Sequence, residues 1–324
     1  MFTMRFDMRA KDGAGSTAGL YAAAIEMAEW GETRGCVAIQ VSEHHASPDG
    51  YLPTPLILAS AIAARTKATP IQVAALLVPL HDPVELAEQM AVLDIVSAGR
   101  VSHVCAVGYR EAEYAMFGQS MKGRGRRMEA CLEVLKTAWE GKQFEYEGRQ
   151  VHVTPSPVTP GGPGLVMGGN SVVAVRRAAR FGMGVMAQGG DDSLEATYLE
   201  ACAEFGTDPQ PFMNPPPGSA HSAFVAEDPD AAWAEIGPYL LHDAQMYAEW
   251  MGSSKAITKS VAASVDELRA ENGNYRIFSV EEAIEQVRTN GIIMTQPLSG
   301  GLPPELAWRS LELIAEKVLP AARA

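Results

Sequence analysis

The chain has 324 residues, 47% of them hydrophobic, 20% charged and 7% aromatic, a globular composition with enough apolar mass for a large core. Its 26 basic and 39 acidic side chains give a net charge of −13, a surface that repels phosphate backbones and anionic lipids and so argues against nucleic-acid and membrane partners. No apolar run approaches the ~20 residues of a membrane span, Met1–Phe6 has no signal-peptide character, and Cys36, Cys105, Cys131 and Cys202 sit far apart among apolar neighbours, so buried free thiols in a cytoplasmic protein are expected.

Short β-rich runs alternate with longer helical patterns. Phe2–Met8 reads as a strand, Thr17–Trp30 as a helix, Cys36–Val41 as a strand and Pro53–Arg65 as a helix. The nearly continuous apolar run Ile71–Val78 suits a strand buried on both faces. Asp82-Pro83-Val84-Glu85 opens the next helix, with Asp82 as cap, Pro83 in the first turn and Glu85 closing a capping box, and Gly99 stops it. Val101–Val107 is the fourth strand, and the spacing of Met128, Leu132, Leu135 and Trp139 marks the fourth helix. Phe144–Val153 predicts a hairpin turning at Glu147-Gly148, and Thr154–Gly164 a long connection rich in Pro and Gly.

The rhythm then resumes with strand Leu165–Met167, a helix from Ser171, strand Gly184–Ala187, helix Ser193–Phe205, strand His221–Val225 and helix Pro229–His242. Gln245–Arg276 reads as a polar excursion, followed by helix Val280–Arg288, strand Gly291–Thr295 and a terminal helix Pro303–Val318. Eight β–α pairs in one domain, residues 1–324, predict an α/β fold of the (β/α)8 TIM-barrel class, with rim insertions near 143–164 and 245–276. A doubly wound open sheet is the competing topology.

In such a barrel the chemistry lies at the C-terminal strand ends. Strand two ends in Ser42-Glu43-His44-His45. Adjacent strand residues point to opposite faces, so the two histidines cannot readily share a metal ion, and no His-Glu-x-x-His helix adds ligands; no metal site is expected. A histidine at this end beside a carboxylate can titrate near neutrality and move protons, which makes His44 or His45 a candidate acid–base group with Glu43 beside it. In the plainer alternative, Glu43 and both histidines satisfy only loop hydrogen bonds.

Gly168-Gly169-Asn170-Ser171 follows strand five and opens a helix. Glycines let backbone approach a ligand, Asn or Ser caps the helix, and the N–H groups favour an anion such as phosphate. Gln188-Gly189-Gly190 after strand six adds to the same cradle; an ordinary tight connection is the alternative. Arg176, Arg177 and Arg180 in that helix are expected mostly to face solvent. The dinucleotide fingerprint, the Gly-x-x-x-x-Gly-Lys loop and the Gly-x-Ser-x-Gly elbow do not occur, which weakens nucleotide-binding and hydrolase readings.

Five segments carry a family resemblance: Val41-Ser42-Glu43-His44-His45, Pro79-Leu80-His81-Asp82-Pro83, Leu93–Arg100 (LDIVSAGR), Gly108–Tyr114 (GYREAEY) with Phe117-Gly118, and Gly168–Ser171. In family order they cover residues 2–190, with a weaker echo in Pro297–Trp308. On these segments the chain resembles the bacterial-luciferase-like flavin-dependent oxidoreductases, which include flavin monooxygenases and deazaflavin-dependent dehydrogenases and reductases.

The resemblance implies a (β/α)8 barrel with FMN or a deazaflavin across its mouth. It implies a ring leaning on a strand-three bulge, often with a non-prolyl cis peptide, matched here by Val73-Ala74-Ala75-Leu76. It further implies phosphate at the Gly168–Ser171 turn and proton transfer or substrate positioning at His44. The cofactor-binding candidates are therefore Ala74, Ala75, Gly108, Tyr109, Gly168, Gly169, Asn170, Ser171 and Gln188.

One departure bears on the cofactor. Many flavin-binding relatives place Arg before the Gly-Tyr pair, where this chain has Val107. That leaves three options: phosphate held by backbone N–H groups alone, a weakly held reduced FMN delivered by a separate flavin reductase, or a deazaflavin. The implied activity is monooxygenation of a small organic substrate with reduced FMN and oxygen. The alternatives are a coenzyme F-420-dependent dehydrogenase or reductase, and a non-catalytic barrel subunit. A homodimer is implied by the resemblance and by the apolar helices adjoining strands two and three.

Overall fold

Alternation between strand and helix is realised in the computed structural model, which describes residues 1–189, 191–216, 218–251 and 259–323. The chain divides into two units, Met1–Val41 with Ser47–Pro53 and Pro216–Ala324, and Ser42–Ala46 with Thr54–Pro215.

In the first unit the strands Tyr275–Phe278, Ser222–Val225, Ile293–Thr295, Phe2–Phe6 and Cys36–Val41 pair in that order, all parallel. The period of two along the first strand buries Phe2, Met4 and Phe6. Helices Thr17–Glu32, Pro229–Met251, Val280–Asn290 and Pro304–Leu313 supply the remaining apolar faces. Trp30 meets Trp308 edge to face, with centroids 5.3 Å apart.

The expected excursion over Gln245–Arg276 is more ordered than its composition suggests. The helix expected to stop at His242 runs on to Met251, because Leu240, Ala244 and Tyr247 extend the buried face at helical spacing. Residues 252–258 lie outside the described residues. Beyond them come a short helix, Val265–Ala270, and the strand Tyr275–Phe278. Arg276 disguises that strand in the sequence. Its guanidinium is spent on the carbonyls of Asn272, Gly273 and Gly218.

In the second unit Ile71–Leu76, Val101–Cys105, Gly164–Gly168, Gly184–Met186 and Phe212–Met213 pair in parallel in that order. The strand expected over Ile71–Val78 stops at Leu76, where pairing with Val101–Cys105 slips between Ala74 and Leu76 and a 3-10 turn, Val78–Leu80, takes over. Asp82 caps the helix Pro83–Ser97 by accepting from the Val84 and Glu85 amides. Glu85, expected to close a capping box, instead accepts from the Gln89 amide. The hairpin forms as expected, Phe144–Tyr146 against Arg149–Val151, with Glu147 and Gly148 both at positive φ.

Two residues of the Leu93–Arg100 segment have structural tasks. Arg100 donates to the carbonyls of Ala63, Thr66, Thr69 and Ser97, satisfying the ends of helices Pro55–Arg65 and Pro83–Ser97 together. Asp94 takes both the amide and the hydroxyl of Thr159, which pins the long connection to the helix. All four cysteines are buried and free, and burial pushes the Cys36 and Cys105 thiols up to about 12. Among the described residues no helix is long and apolar enough to cross a membrane.

Candidate active site

Ser42-Glu43-His44-His45, immediately after strand Cys36–Val41, is buried throughout. The His44 ring places Nδ1 2.7 Å from Glu113 Oε1, and its Nε2 lies 3.3 Å from the Tyr109 hydroxyl. Glu113 comes from the short helix Glu111–Met116 and is fully buried. Its Oε1 also takes the His45 amide at 3.0 Å and Arg110 Nη1 at 3.1 Å, while Arg110 reaches the His45 carbonyl at 2.6 Å.

Burial alone would raise the Glu113 carboxyl. The bond and charge of His44, with the His45 amide and Arg110, outweigh it and hold the group below its ordinary range. An ionised carboxylate only accepts, so His44 donates Nδ1–H to it. In the neutral ring, Nε2 then presents its lone pair toward Tyr109. This is the orientation a proton acceptor needs.

Glu43 does not orient His44. Its Oε1 accepts from Nε2 of His45 and Nε2 of His81, each at 2.8 Å, and its Oε2 accepts from the Leu77 amide at 2.5 Å. The two neighbouring histidines therefore serve different carboxylates. The strand stops at Val41, so it is the loop after it, not the expected strand alternation, that turns the two rings to different partners. Among the described residues no group of three His, Cys, Asp or Glu side chains is arranged to hold a metal ion.

The cofactor candidates lie at the ends of four adjacent strands, Gln188 following the fourth, Gly184–Met186. The register aligns Leu76 with Cys105 and Cys105 with Met167, so the Ala74–Leu76 slip, the Gly108–Tyr109 loop and the Gly168–Ser171 turn emerge side by side. The Ala74–Ala75 peptide is cis, and both residues are half-buried. The Glu43 amide donates to the Ala75 carbonyl at 3.2 Å, which ties this slip to the histidine cluster.

At the turn, Ser171 caps the helix Val172–Arg180 by accepting from the Ala174 amide. The amides of Val172 and Val173, in its first turn, have no carbonyl within the helix to meet, and both residues are exposed. Asn170 braces the turn against the next strand end, with Nδ2 to the Gly189 carbonyl at 2.8 Å and Oδ1 from the Gln188 amide at 2.7 Å. Gly190, expected in the same cradle, lies outside the described residues.

The two glycines of the turn sit close against neighbouring side chains. A Cβ on Gly168 would fall 3.0 Å from Val104 Cγ1, and one on Gly169 3.0 Å from Ala174 Cβ. Glycine is what lets the turn pack this closely, and Gly169 also takes a φ of +149°. The arginines of the helix are otherwise engaged: Arg176 with Glu204, Arg177 with Glu129, Arg180 with Glu129 and Glu133. Arg176 and Arg180 face solvent, as expected of most of the three, and Arg177 is buried against its partner.

Sequence reasoning missed Glu113, Arg110 and His81. Glu113 and Arg110 lie in the Gly108–Tyr114 segment and His81 in Pro79–Pro83, so the signal was present without its partner.

The parallel α/β architecture and the polar cluster at its strand ends set the class of protein, and the comparisons give the class its name. The sequence pattern of the luciferase-like monooxygenase family matches residues 4–288, and the chain belongs to that family. The uncharacterized protein y4vJ of Sinorhizobium fredii is 26% identical over 144 residues, 44% of this chain and 41% of that protein, so the match spans less than half of this relative. The oxygenase component of the flavin-dependent trigonelline monooxygenase of Acinetobacter baylyi is 23% identical, over 93% of this chain and 90% of that protein.

Among solved structures, the oxygenating constituent of 3,6-diketocamphane monooxygenase from Pseudomonas putida, in complex with FMN, superposes with a TM-score of 0.71 at 19% identity, covering 99% of this chain and 98% of that one. An F420-dependent secondary alcohol dehydrogenase, in complex with an F420-acetone adduct, gives 0.67 at 16% identity with full coverage of both, 100% and 100%. At such identities the likeness shows the fold, the luciferase-like (β/α)8 TIM-barrel class.

Proposed function

We propose that this chain is the oxygenase component of a two-component flavin-dependent monooxygenase of the cytoplasm, taking reduced FMN from a separate reductase and acting with oxygen on a small organic substrate. The observation that carries the reading is the His44–Glu113 pair, with Nδ1 2.7 Å from the carboxylate, set beside the Ala74–Leu76 slip at the mouth of adjacent strands. The nearly full-length similarity to the oxygenase component of the trigonelline monooxygenase supports it.

When bound, the reduced flavin supplies the electrons that activate oxygen. The chain supplies everything else. The Ala74–Ala75 backbone, with its small side chains, would hold the ring. The N–H groups of the Gly168–Ser171 turn and the first helical turn after it receive the phosphate. His44, fixed as the Nδ1–H tautomer by Glu113, holds or moves a proton at Nε2, and Tyr109 shares that proton's path. Ile57, Val92, Ile95 and Val96 lie exposed on helices Pro55–Arg65 and Pro83–Ser97, an apolar face suited to a second copy of the chain.

A second reading rests on the cations. With Val107 ahead of Gly108 and all three arginines of Val172–Arg180 paired to glutamates, no side-chain cation is committed to phosphate at this turn by that helix. Coenzyme F-420 and hydride transfer suit such a site. Anaerobic titration with FMN, reduced FMN and coenzyme F-420, followed by oxygen-uptake measurement, separates the readings. Tightest binding of reduced FMN with substrate-dependent oxygen consumption is expected. Preference for F-420 without oxygen consumption overturns the monooxygenase reading, and binding of none of them points to a non-catalytic subunit.

A further inference from the structure

Glu43 has no part in the proton path drawn above, yet it is among the most fully engaged buried carboxylates of the molecule. Its own amide donates to the Ala75 carbonyl at 3.2 Å, and its Oε2 receives the Leu77 amide at 2.5 Å. One residue thereby grips the segment Ala75–Leu77 at both ends. The middle of that segment is held from the other side, where the Ala106 amide donates to the Leu76 carbonyl at 2.9 Å. These bonds stand where ordinary strand pairing fails, since the register slips between Ala74 and Leu76. A backbone that leaves its ladder needs other partners for its polar groups, and here a side chain provides them.

The carboxylate is itself oriented. His45 and His81 both direct Nε2–H at Oε1, each at 2.8 Å. Three N–H donors thus converge on two oxygens that only accept. Glutamine at this position would turn an NH2 toward at least one of those donors, and alanine would leave all three without an acceptor. The clamp reaches solvent through His81, whose side chain is 26% exposed and lines a cavity of about 240 Å³ with Asp82, Glu85, Gln89 and Phe117.

We propose that Glu43 is a positioning residue for the flavin ring: through its bonds to Ala75 and Leu77 it sets the backbone surface on which the ring rests, with His45 and His81 locking the carboxylate. This role rests on the reading of Ala74–Ala75 as the flavin-facing backbone.

The test uses Glu43→Gln in the full chain, with oxidised FMN, reduced FMN and riboflavin as probes. Affinity is measured by fluorescence under anaerobic conditions, and the bound flavin's absorption spectrum is recorded. Because the clamp acts on the ring and not the phosphate, the dissociation constants for FMN and riboflavin are expected to rise by the same factor, about tenfold for the loss of one or two hydrogen bonds. The bound-flavin spectrum is expected to shift with them. His81→Leu, which removes one donor from the solvent side, keeps the test decisive if Glu43→Gln does not fold. It is expected to raise both constants about threefold, and His81→Gln, which restores an N–H donor, to recover most of that loss. Wild-type affinity and spectrum in folded Glu43→Gln, or in His81→Leu, overturn the role of Glu43 alone. A wild-type chain that binds no flavin overturns the functional reading and this role with it.

Discussion

Around His44 the buried carboxylates face N–H donors, whereas around Arg9 they face one another. In the first case burial raises Glu43, but hydrogen bonds from His45 and His81, the charge of His81 and the Leu77 amide more than reverse it and bring the carboxyl down to about 2. In the second, Asp7 and Asp243 share Arg9, whose Nε lies 3.6 and 3.0 Å from their oxygens, and Gln296 Nε2 bridges them at 2.7 and 3.5 Å. Burial and the charge of Asp243 raise Asp7 to about 7, against the pull of Arg9 and Arg5. Arg9 is stacked among Tyr51, Tyr247 and Trp250, with ring centroids 4.8, 4.5 and 4.7 Å from its Cζ. Equal burial therefore has opposite consequences. Donor-rich surroundings keep a carboxylate charged and able to orient a histidine, and carboxylate-rich surroundings make one of their number hold a proton.

The comparison breaks first at His44. If its Nε2 moves a proton, His44→Ala should lower turnover by about 10²–10⁴-fold while sparing flavin affinity. Glu113→Gln should come next, with a loss of about 10²-fold in kcat, because an amide facing Nδ1 can donate and so favour the wrong tautomer. Flavin affinity should again be spared. His45→Ala acts on the other carboxylate, so its loss should stay within about tenfold and appear in flavin affinity instead. Steady-state kinetics with independently measured flavin binding checks all three. Equal, small losses across the set would mean that the donor-rich cluster is purely structural.

How much of this was legible in the sequence follows from chain distance. The strand-end run Glu43-His44-His45, the Ala74–Ala75 stretch and the Gly168–Ser171 turn are local, and each stands where the alternation of elements set it. What joins them is not local. His44 meets Glu113 across 69 residues, Glu43 meets His81 across 38, and Arg9 meets Asp243 across 234. Adjacent Glu43 is the natural partner for His44 by spacing, but the loop after Val41 hands His44 to Glu113 and Glu43 to His45 and His81. The same reasoning explains the missed strand Tyr275–Phe278. Its polar Arg276 is satisfied by carbonyls that only the folded chain brings close.

The smallest expected effect tests the other half of the comparison. Asp7 has a folded pKa of about 7, above the ~3.9 of an unfolded aspartate. Its contribution to stability is thus complete below about pH 4 and lost progressively as pH rises toward 7. Asp7→Asn mimics the protonated acid, so variant and wild type should melt together at about pH 4 and below. By pH 8 the wild type bears the cost of ionising within reach of Asp243 and the variant does not, so the variant should then be more stable by about 1–2 kcal/mol, a few degrees in Tm for a chain of this size. His81, raised by Glu43's bond and charge against burial, also loses its contribution as pH rises. His103 and His221, both lowered by burial to about 4, lose theirs as pH falls. All three are common to both proteins, so the difference between the two melting curves isolates Asp7. Curves that stay parallel from about pH 4 to pH 8 would show that Asp7 ionises in the folded chain as it does in the unfolded one, and that Arg9 and Arg5 outweigh its burial beside Asp243 after all.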